Sequence, residues 1–476
     1  MALRDDIPCL LRHIEANANI LKHNYELLDI YEGNLLPYVE ADLQAQLSPQ
    51  SYAQAKHRIT PLNILRQVMD KLSRIYPPTR QVVNGSDQDA ELLAWYEAAI
   101  KADQIGNQAN EFFNLFKSTL LEPYVWDGKP GLRAIPSDRF LPYTASRINP
   151  TVPTHFVTMQ GDGDKKSRQG EVYKVKIYFA YTADEWLVFD SDGDLREDLM
   201  FHYGNPEGIN PYGVLPFVYV NRSQNCLVPK PDTDIMRVTR VIPVCYSDML
   251  FISQFSSFSI IYGVDVDDEN LNLSPNAFWS FKSDPNSEKT PQVNQIKPQG
   301  DIDQLTRMIQ GLLGAWMQTR GIKTNYSGSL QGDNMASGVA KMIDELDTYQ
   351  DRQKQTGFFM DAEEQLWNLI LKDMHPVWVQ HGMLNDPLPL FSPSADFNVN
   401  FSEQMPFITR GDLVDDLQAE VAAGFTTRAR AIKALNPRMS DDEIDELLAE
   451  IEGDAGMMDE PETMDDDEAA NGADEN

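Results

Sequence analysis

The stretch Thr233-Asp-Ile-Met-Arg-Val-Thr-Arg-Val-Ile-Pro-Val-Cys-Tyr-Ser-Asp-Met-Leu-Phe-Ile-Ser-Gln-Phe-Ser-Ser-Phe-Ser-Ile-Ile261 decides how the chain is organised. Val238, Val241, Cys245, Met249, Ile252 and Phe255 recur at steps of three and four, the spacing of one helix face. A single helix over Thr233–Ile261 would be roughly 40 Å long at 1.5 Å per residue. Pro243 removes one backbone donor and is expected to bend it. The run Val241–Ile261 approaches membrane-spanning length, yet Pro243, Asp248 and five serines argue for an aqueous or protein environment.

Outward from this helix, Asp301–Arg320 forms a second amphipathic element. Ile302, Leu305, Ile309, Leu312 and Trp316 share one face, acidic residues stand at its start, and Gly321 ends it. The two helices bracket Gly263–Gly300, a polar, proline-punctuated lobe with strand-like runs at Ala277–Lys282 and Gln292–Lys297. Beyond the second helix, Ile322–Ser337 has no apolar period and reads as a loop. Gly338–Met374 then reads as a helix of roughly 55 Å, closed by His375-Pro376.

Upstream, the first 120 residues are helical in pattern. In Thr60–Tyr76 a threonine cap precedes Pro61 at the first turn and apolar residues follow at helical steps, with Pro77-Pro78 as the stop. From about Tyr124 to Asn221 the pattern changes to alternating runs, Tyr173–Tyr181 and Glu185–Phe189 among them, separated by Asp-Gly turns. The turn Asp190-Ser-Asp-Gly-Asp resembles a calcium loop. Leu195 and Phe201 stand where such a loop needs glycine and glutamate, so a hairpin turn is expected. Downstream, Gly424 punctuates a helix over Asp412–Ala423, Asn436-Pro437 ends Arg428–Leu435, and Ser440-Asp-Asp-Glu443 reads as a capping box.

The 476 residues, 42% apolar and 24% charged, are those of a multi-unit globular protein. Cys9, Cys226 and Cys245 have neither disulfide nor metal-ligand spacing, which fits a reducing compartment. The N-terminal residues lack the pattern of a secretory signal, and a cytoplasmic product is expected. With 40 basic and 73 acidic residues the formal charge is −33, the opposite of a chain that grips phosphates. The acidity is concentrated in Asp441–Asn476, with 17 carboxylates and no Lys or Arg; beyond Gly453 this tail is expected to be disordered.

Catalytic signatures are missing. There is no phosphate-cradling Gly-Lys-Ser/Thr loop, Gly328–Gly338 leading instead into Val339-Ala-Lys341. The seven histidines are never at helical ligand spacing, and Tyr326-Ser-Gly-Ser-Leu-Gln-Gly332 misses the nucleophile elbow. Carboxylate pairs such as Asp267-Asp268 and Asp415-Asp416 are what chance adjacency gives in so acidic a chain. No catalytic residue, metal site or cofactor is expected.

The order of helical start, β-rich module, long helix, lobe, returning helix, loop and very long helix resembles the portal proteins of long-tailed phages, over roughly Ile59–Glu452. Pro211-Tyr-Gly-Val-Leu-Pro-Phe-Val-Tyr-Val-Asn221 looks like that family's strand before its first stem helix. Met335-Ala-Ser-Gly-Val-Ala-Lys341 looks like the segment opening its long helix. Arg428-Ala-Arg-Ala-Ile-Lys-Ala-Leu-Asn-Pro437 followed by the acidic helix from Asp441 is similar to its C-terminal ending. The tail after Gly453 has no counterpart.

The resemblance implies an α+β portal-like fold assembled as a ring, usually of twelve subunits. Its parts would be an α/β wing (residues 1–232), stem helix 1 (233–262), a small α/β clip (263–300), stem helix 2 (301–321), a tunnel loop (322–337), a long wing helix and return (338–408), a crown (409–453) and the acidic tail (454–476). Stem packing would fall to Val241, Cys245, Met249, Ile252, Ile309, Leu312 and Trp316. Clip contacts would fall to Phe278, Trp279 and Phe281, and transient contact with double-stranded DNA to Lys323, Thr324, Asn325 and Asn334. Implied partners are copies of the chain, the large terminase ATPase, major capsid and scaffolding proteins, and a head-completion adaptor, at a unique capsid vertex after assembly in the host cytoplasm. The rival classes are another phage head or baseplate component, which would not explain two long helices bracketing a lobe, and a packaging nuclease or ATPase, which lacks its motifs.

Overall fold

The computed structural model describes residues 3–166, 171–223, 225–257, 260–264, 292–296, 302–319, 338–386, 388–401, 410–436, 444 and 447–449. The chain divides into two units, Met1–Met335 with Ile343–Glu403, and Ala336–Met342 with Gln404–Asn476. The fold is mixed helix and antiparallel sheet, an α+β class.

Seven helices dominate the start: α1 (Leu3–Ala16), α2 (Ala18–Glu32), α3 (Leu36–Gln46), α4 (Pro49–Ala55), α5 (Ile64–Leu72), α6 (Asp87–Ile100) and α7 (Ala102–Phe116). Strand β1 (Thr79–Val83) interrupts them. The expected cap at Thr60 is corrected: α5 starts later, where Asn63 Oδ1 accepts the Arg66 N–H at 3.3 Å while Asn63 Nδ2 donates to the Ile30 carbonyl. Thr60 is spent elsewhere, its N–H donating to Ser247 Oγ at 3.1 Å.

Next come β2 (Ser118–Trp126), β3 (Lys129–Ile135), β4 (Phe140–Tyr143), β5 (His155–Lys166), β6 (Val172–Tyr181), β7 (Trp186–Asp190), the short α8 (Glu197–His202) and β8 (Val218–Asn221). They form two antiparallel sheets, β3-β2-β8 and β4-β5-β6-β7. The β2–β3 turn places Asp127 at φ 50° and Gly128 at φ 72°, the left-handed pair a tight hairpin needs. α1 lays Leu3, Ile7, Leu10 and Ile14 against the second sheet, whose core includes Val157, Ile177 and Val188.

The Asp190–Asp194 turn contains a cation of its own. Lys165 Nζ lies 2.8 Å from Asp190 Oδ2, 2.8 Å from Asp192 Oδ2 and 2.7 Å from Asp194 Oδ2. Asp190 Oδ1 meanwhile accepts the N–H groups of Asp192 and Asp194. The ammonium thus sits where the acidic spacing suggested calcium. Replacing Lys165 by Ala should lower the thermal midpoint at low ionic strength, and the difference should shrink near 1 M salt, where the Debye length is about 3 Å. A salt-independent difference would assign the effect to lost packing.

The central helix α9 (Thr233–Ser257) is followed by β9 (Ile260–Val264), β10 (Gln292–Ile296) and α10 (Ile302–Thr319). The expected helix to Ile261 is shortened: β-branched Ile260-Ile261 leaves it and pairs with β10, Ile260 opposite Ile296. The expected strand at 277–282 lies outside the described residues.

Helix α11 (Gly338–Asn368) runs into a π-helical turn, Leu369–Met374, and then α12 (His375–Gln380). His375-Pro376 therefore does not end the helix. The wider turn moves the carbonyl four residues back out of the way of the proline ring, and Pro376 takes the first-turn position of α12. Buried Leu369, Ile370, Leu371 and Met374 anchor it. His375 is fully buried, its Nε2–H donating to the Pro389 carbonyl at 2.9 Å and its Nδ1 accepting from the Tyr96 hydroxyl at 2.7 Å. Burial pushes its pKa down and keeps the ring neutral.

β11 (Asp396–Asn400) then pairs antiparallel with β1, Thr79 opposite Asn400, closing the chain's return onto its start. Asp89 secures the same corner. Its Oδ2 accepts the Ser86 N–H at 2.8 Å in a capping box and its Oδ1 accepts the Ser392 N–H at 2.8 Å. Burial alone would raise its pKa, but these donors outweigh it and hold the carboxyl at about 2. The folded value lies below the unfolded one, so its contribution is present above about pH 4 and is lost as pH falls toward 2. Asp89→Ala should cost about 1–3 kcal/mol at neutral pH. Denaturant titrations of both proteins should converge as the pH drops below 4.

The second unit contains α13 (Arg410–Ala422) and α14 (Arg428–Leu435). Gly424, at φ 76°, closes the first, with the Phe425 N–H donating to the Glu420 carbonyl at 2.9 Å; Thr427 Oγ1 caps the second by accepting the Arg430 N–H. The Ser440 capping box and the acidic tail lie outside the described residues.

Candidate assembly surface: the paired helices

α9 and α10 lie side by side and antiparallel. Trp316, near the end of α10, donates its indole N–H to Asp234 at the start of α9 (3.3 Å), while Thr306, early in α10, donates to Met249 Sδ (3.2 Å). Their root is embedded in the body of the first unit. Ile235, Met236, Trp316 and Met317 are buried in one core with Leu27, Val39, Val68 and Phe116 of α2, α3, α5 and α7.

Arg240 fixes this root electrostatically. Its Nε is 2.7 Å from Asp42 Oδ2, a second nitrogen donates to Asp42 Oδ1, and the guanidinium stands 5.6 Å from the Tyr38 ring centroid. The bidentate geometry ties α9 to α3.

Beyond the root the pair presents apolar side chains to solvent. Val241 is 45% exposed, Leu250 44%, Met308 54% and Leu312 43%, two on each helix. Cys245, Met249, Ile252 and Ile309 are half-buried. Of the residues expected to pack the stem against neighbouring copies, Trp316 lies in the chain's own core, Val241 and Leu312 face outward, and the other four are half-buried. The inward face of α9 is instead Ile235, Met236, Thr239 and Ile242. Thr239 escapes a hydrophobicity count because its hydroxyl is satisfied inside the helix, donating to the Ile235 carbonyl at 2.8 Å.

Phe278, Trp279 and Phe281, and Lys323, Thr324, Asn325 and Asn334, lie outside the described residues. Among those described, no group of His, Cys, Asp and Glu is arranged to hold a metal ion. No helix of the described residues is long and apolar enough to cross a membrane.

No family model matches the chain, and no curated protein matches it. Among solved structures, the neck of a native GTA particle computed with C12 symmetry matches at 11% identity and a TM-score of 0.34, covering 79% of this chain and 90% of that one. The neck of an empty GTA particle computed with C6 symmetry matches at 12% identity and a TM-score of 0.32, with the same coverage of 79% and 90%.

Proposed function

We propose that the chain is the portal subunit of a tailed phage, a non-enzymatic protein that closes into a ring at one capsid vertex. In this reading the ring conducts double-stranded DNA during packaging and ejection, and it docks the packaging ATPase and later the head-completion protein. The observation that carries it is the antiparallel α9–α10 pair. It is rooted in the body by Trp316 and Arg240, continues into the β9–β10 ladder, and exposes Val241, Leu250, Met308 and Leu312 where a neighbouring copy would cover them. The order of motifs from Pro211–Asn221 to Met335–Lys341 supports the same reading. A formal charge of −33 per copy suits a conduit, which must let phosphates slide past rather than hold them.

Negative-stain electron microscopy with light-scattering mass tests this directly. Rings of about twelve subunits with an axial hole are expected. A compact monomer across several salt conditions would overturn the reading and reopen the search for an enzyme.

A further inference from the structure

Two exposed apolar surfaces stand at the two borders of the sheet β4-β5-β6-β7. The first is the connection from β4, one outer strand, to β5. It holds Ile148 at 90% exposure, with Val152 exposed beside it in sequence. The backbone that carries them is braced. The Ser146 N–H donates to Thr144 Oγ1 at 3.2 Å, the Asn149 N–H to Ser146 Oγ at 3.1 Å, and the Ala145 N–H to Thr154 Oγ1 at 3.0 Å. Arg147 is the sole charged residue of 144–154 and meets no carboxylate among the described residues. In a chain with 73 acidic residues, this segment has none.

The second surface lies outside β7, the opposite outer strand. Leu195 bridges Phe189 and Ile209 bridges Glu185, so residues 195–209 run along that border and carry α8. Phe201 is 76% exposed, and Tyr203 and Ile209 are exposed as well. Tyr203 is fixed edge-on against Phe179 of β6, their ring centroids 5.2 Å apart. The carboxylates of α8 are already matched, Glu197 by Arg4 at 3.3 Å and Asp198 by Arg196 at 2.7 Å. Exposed Glu207, close before Ile209, and Asp184, next to its bridge partner Glu185, meet no cation among the described residues.

The two borders complement each other: aliphatic side chains beside an unmatched guanidinium on one, aromatic and aliphatic side chains beside unmatched carboxylates on the other. A foreign partner would need only one of them. A ring needs both on every chain, because the rotation that closes it brings one surface of each copy against a different surface of the next. We propose that the 144–154 connection of one copy docks on the β7–α8 border of a second copy, head to tail. Ile148 and Val152 pack against Phe201, Tyr203 and Ile209, and Arg147 faces Asp184 and Glu207. The inference rests on the ring reading and adds a contact separate from the α9–α10 face. A braced connection has little freedom left to lose on docking.

The test is cross-linking of the full chain by a short bismaleimide, with the exposed native thiol removed by Cys226→Ser. Ile148→Cys and Ile209→Cys in one chain should give a ladder of linked copies longer than dimers on denaturing gels. Either substitution alone should give monomers. Charge reversal is the second arm. At low ionic strength Arg147→Glu should raise the concentration at which half of the chains are assembled by about tenfold or more, since like charges then face each other. Adding Glu207→Lys to the same chain should recover most of that loss. All four positions are exposed, so circular dichroism should show folded chains throughout. A ladder together with the recovery supports the proposal. Parent rings in the microscope with no ladder, or with Arg147→Glu assembling like the parent, would overturn it and leave the ring reading standing. Dimers from either single cysteine would overturn it by showing that like surfaces meet. A parent that stays monomeric overturns both.

Discussion

Replacing Arg80 by Met should remove about 3–5 kcal/mol of stability, the cost of leaving a buried charge without its partner. The Arg80 side chain is 4% exposed and forks onto that of Glu363, 3% exposed: Nε lies 2.8 Å from Oε2, and a terminal nitrogen 3.0 Å from Oε1. The other terminal nitrogen meets Asp103 at 2.8 Å and Glu97 at 3.3 Å. Glu363 also accepts from the Trp367 indole at 2.8 Å and the Tyr76 hydroxyl at 3.1 Å. One guanidinium thus holds β1, α6, α7 and α11 together. Burial raises the Glu97 pKa while Arg80 pulls it down, so without Arg80 the buried Glu363 would face Glu97 and Asp103 with no cation between them.

The double variant Arg80→Met with Glu363→Gln separates the pair from its surroundings. The substituted amide keeps an acceptor for Trp367 and removes the stranded charge, so the double variant should lose less than the sum of the two single ones, by about 0.5–3 kcal/mol. Urea unfolding followed by tryptophan fluorescence measures all four corners of the cycle. Additive losses would show that Arg80 acts through Asp103 and Glu97 rather than through Glu363.

This knot also shows what the sequence could and could not disclose. Local signals with a stereotyped mechanism were legible: Gly424 ended one helix, Arg428–Leu435 formed the next, and the alternating run around Tyr173–Tyr181 became β6. Pairings set by distant segments were not. β1 is five residues of mixed polarity, Thr79-Arg-Gln-Val-Val83, and becomes a strand only because β11 lies against it. Lys165 gave no sign that it would neutralise Asp190, Asp192 and Asp194, because they meet only once β5 has paired with β6 and β6 with β7. In α9 the spacing of Val241, Cys245, Met249 and Ile252 suggested a packing face, but apolar residues occur on other sides of that helix too. Which side is buried was settled by α3, α5 and α10, so Ile235, Met236, Thr239 and Ile242 went inward and Val241 outward.

That outward placement makes the proposed assembly surface testable apart from the fold. Leu312→Asp replaces a side chain 43% exposed in the single chain, so folding should change by no more than about 0.5 kcal/mol. In a ring the same position would be covered by a neighbour, where an unpaired carboxylate must be desolvated at every interface, at a cost of several kcal/mol each. The expected result is a chain with an unchanged thermal midpoint that sediments as a monomer. Val241→Asp, on the partner helix and 45% exposed, should behave alike. Ile309→Asp, at a half-buried position, should lose assembly together with some stability. The contrast distinguishes interface from core: loss of rings with loss of folding in all three would place these residues in the chain's own packing. Rings of normal size from Leu312→Asp and Val241→Asp would mean that the exposed face of the α9–α10 pair is not where copies meet.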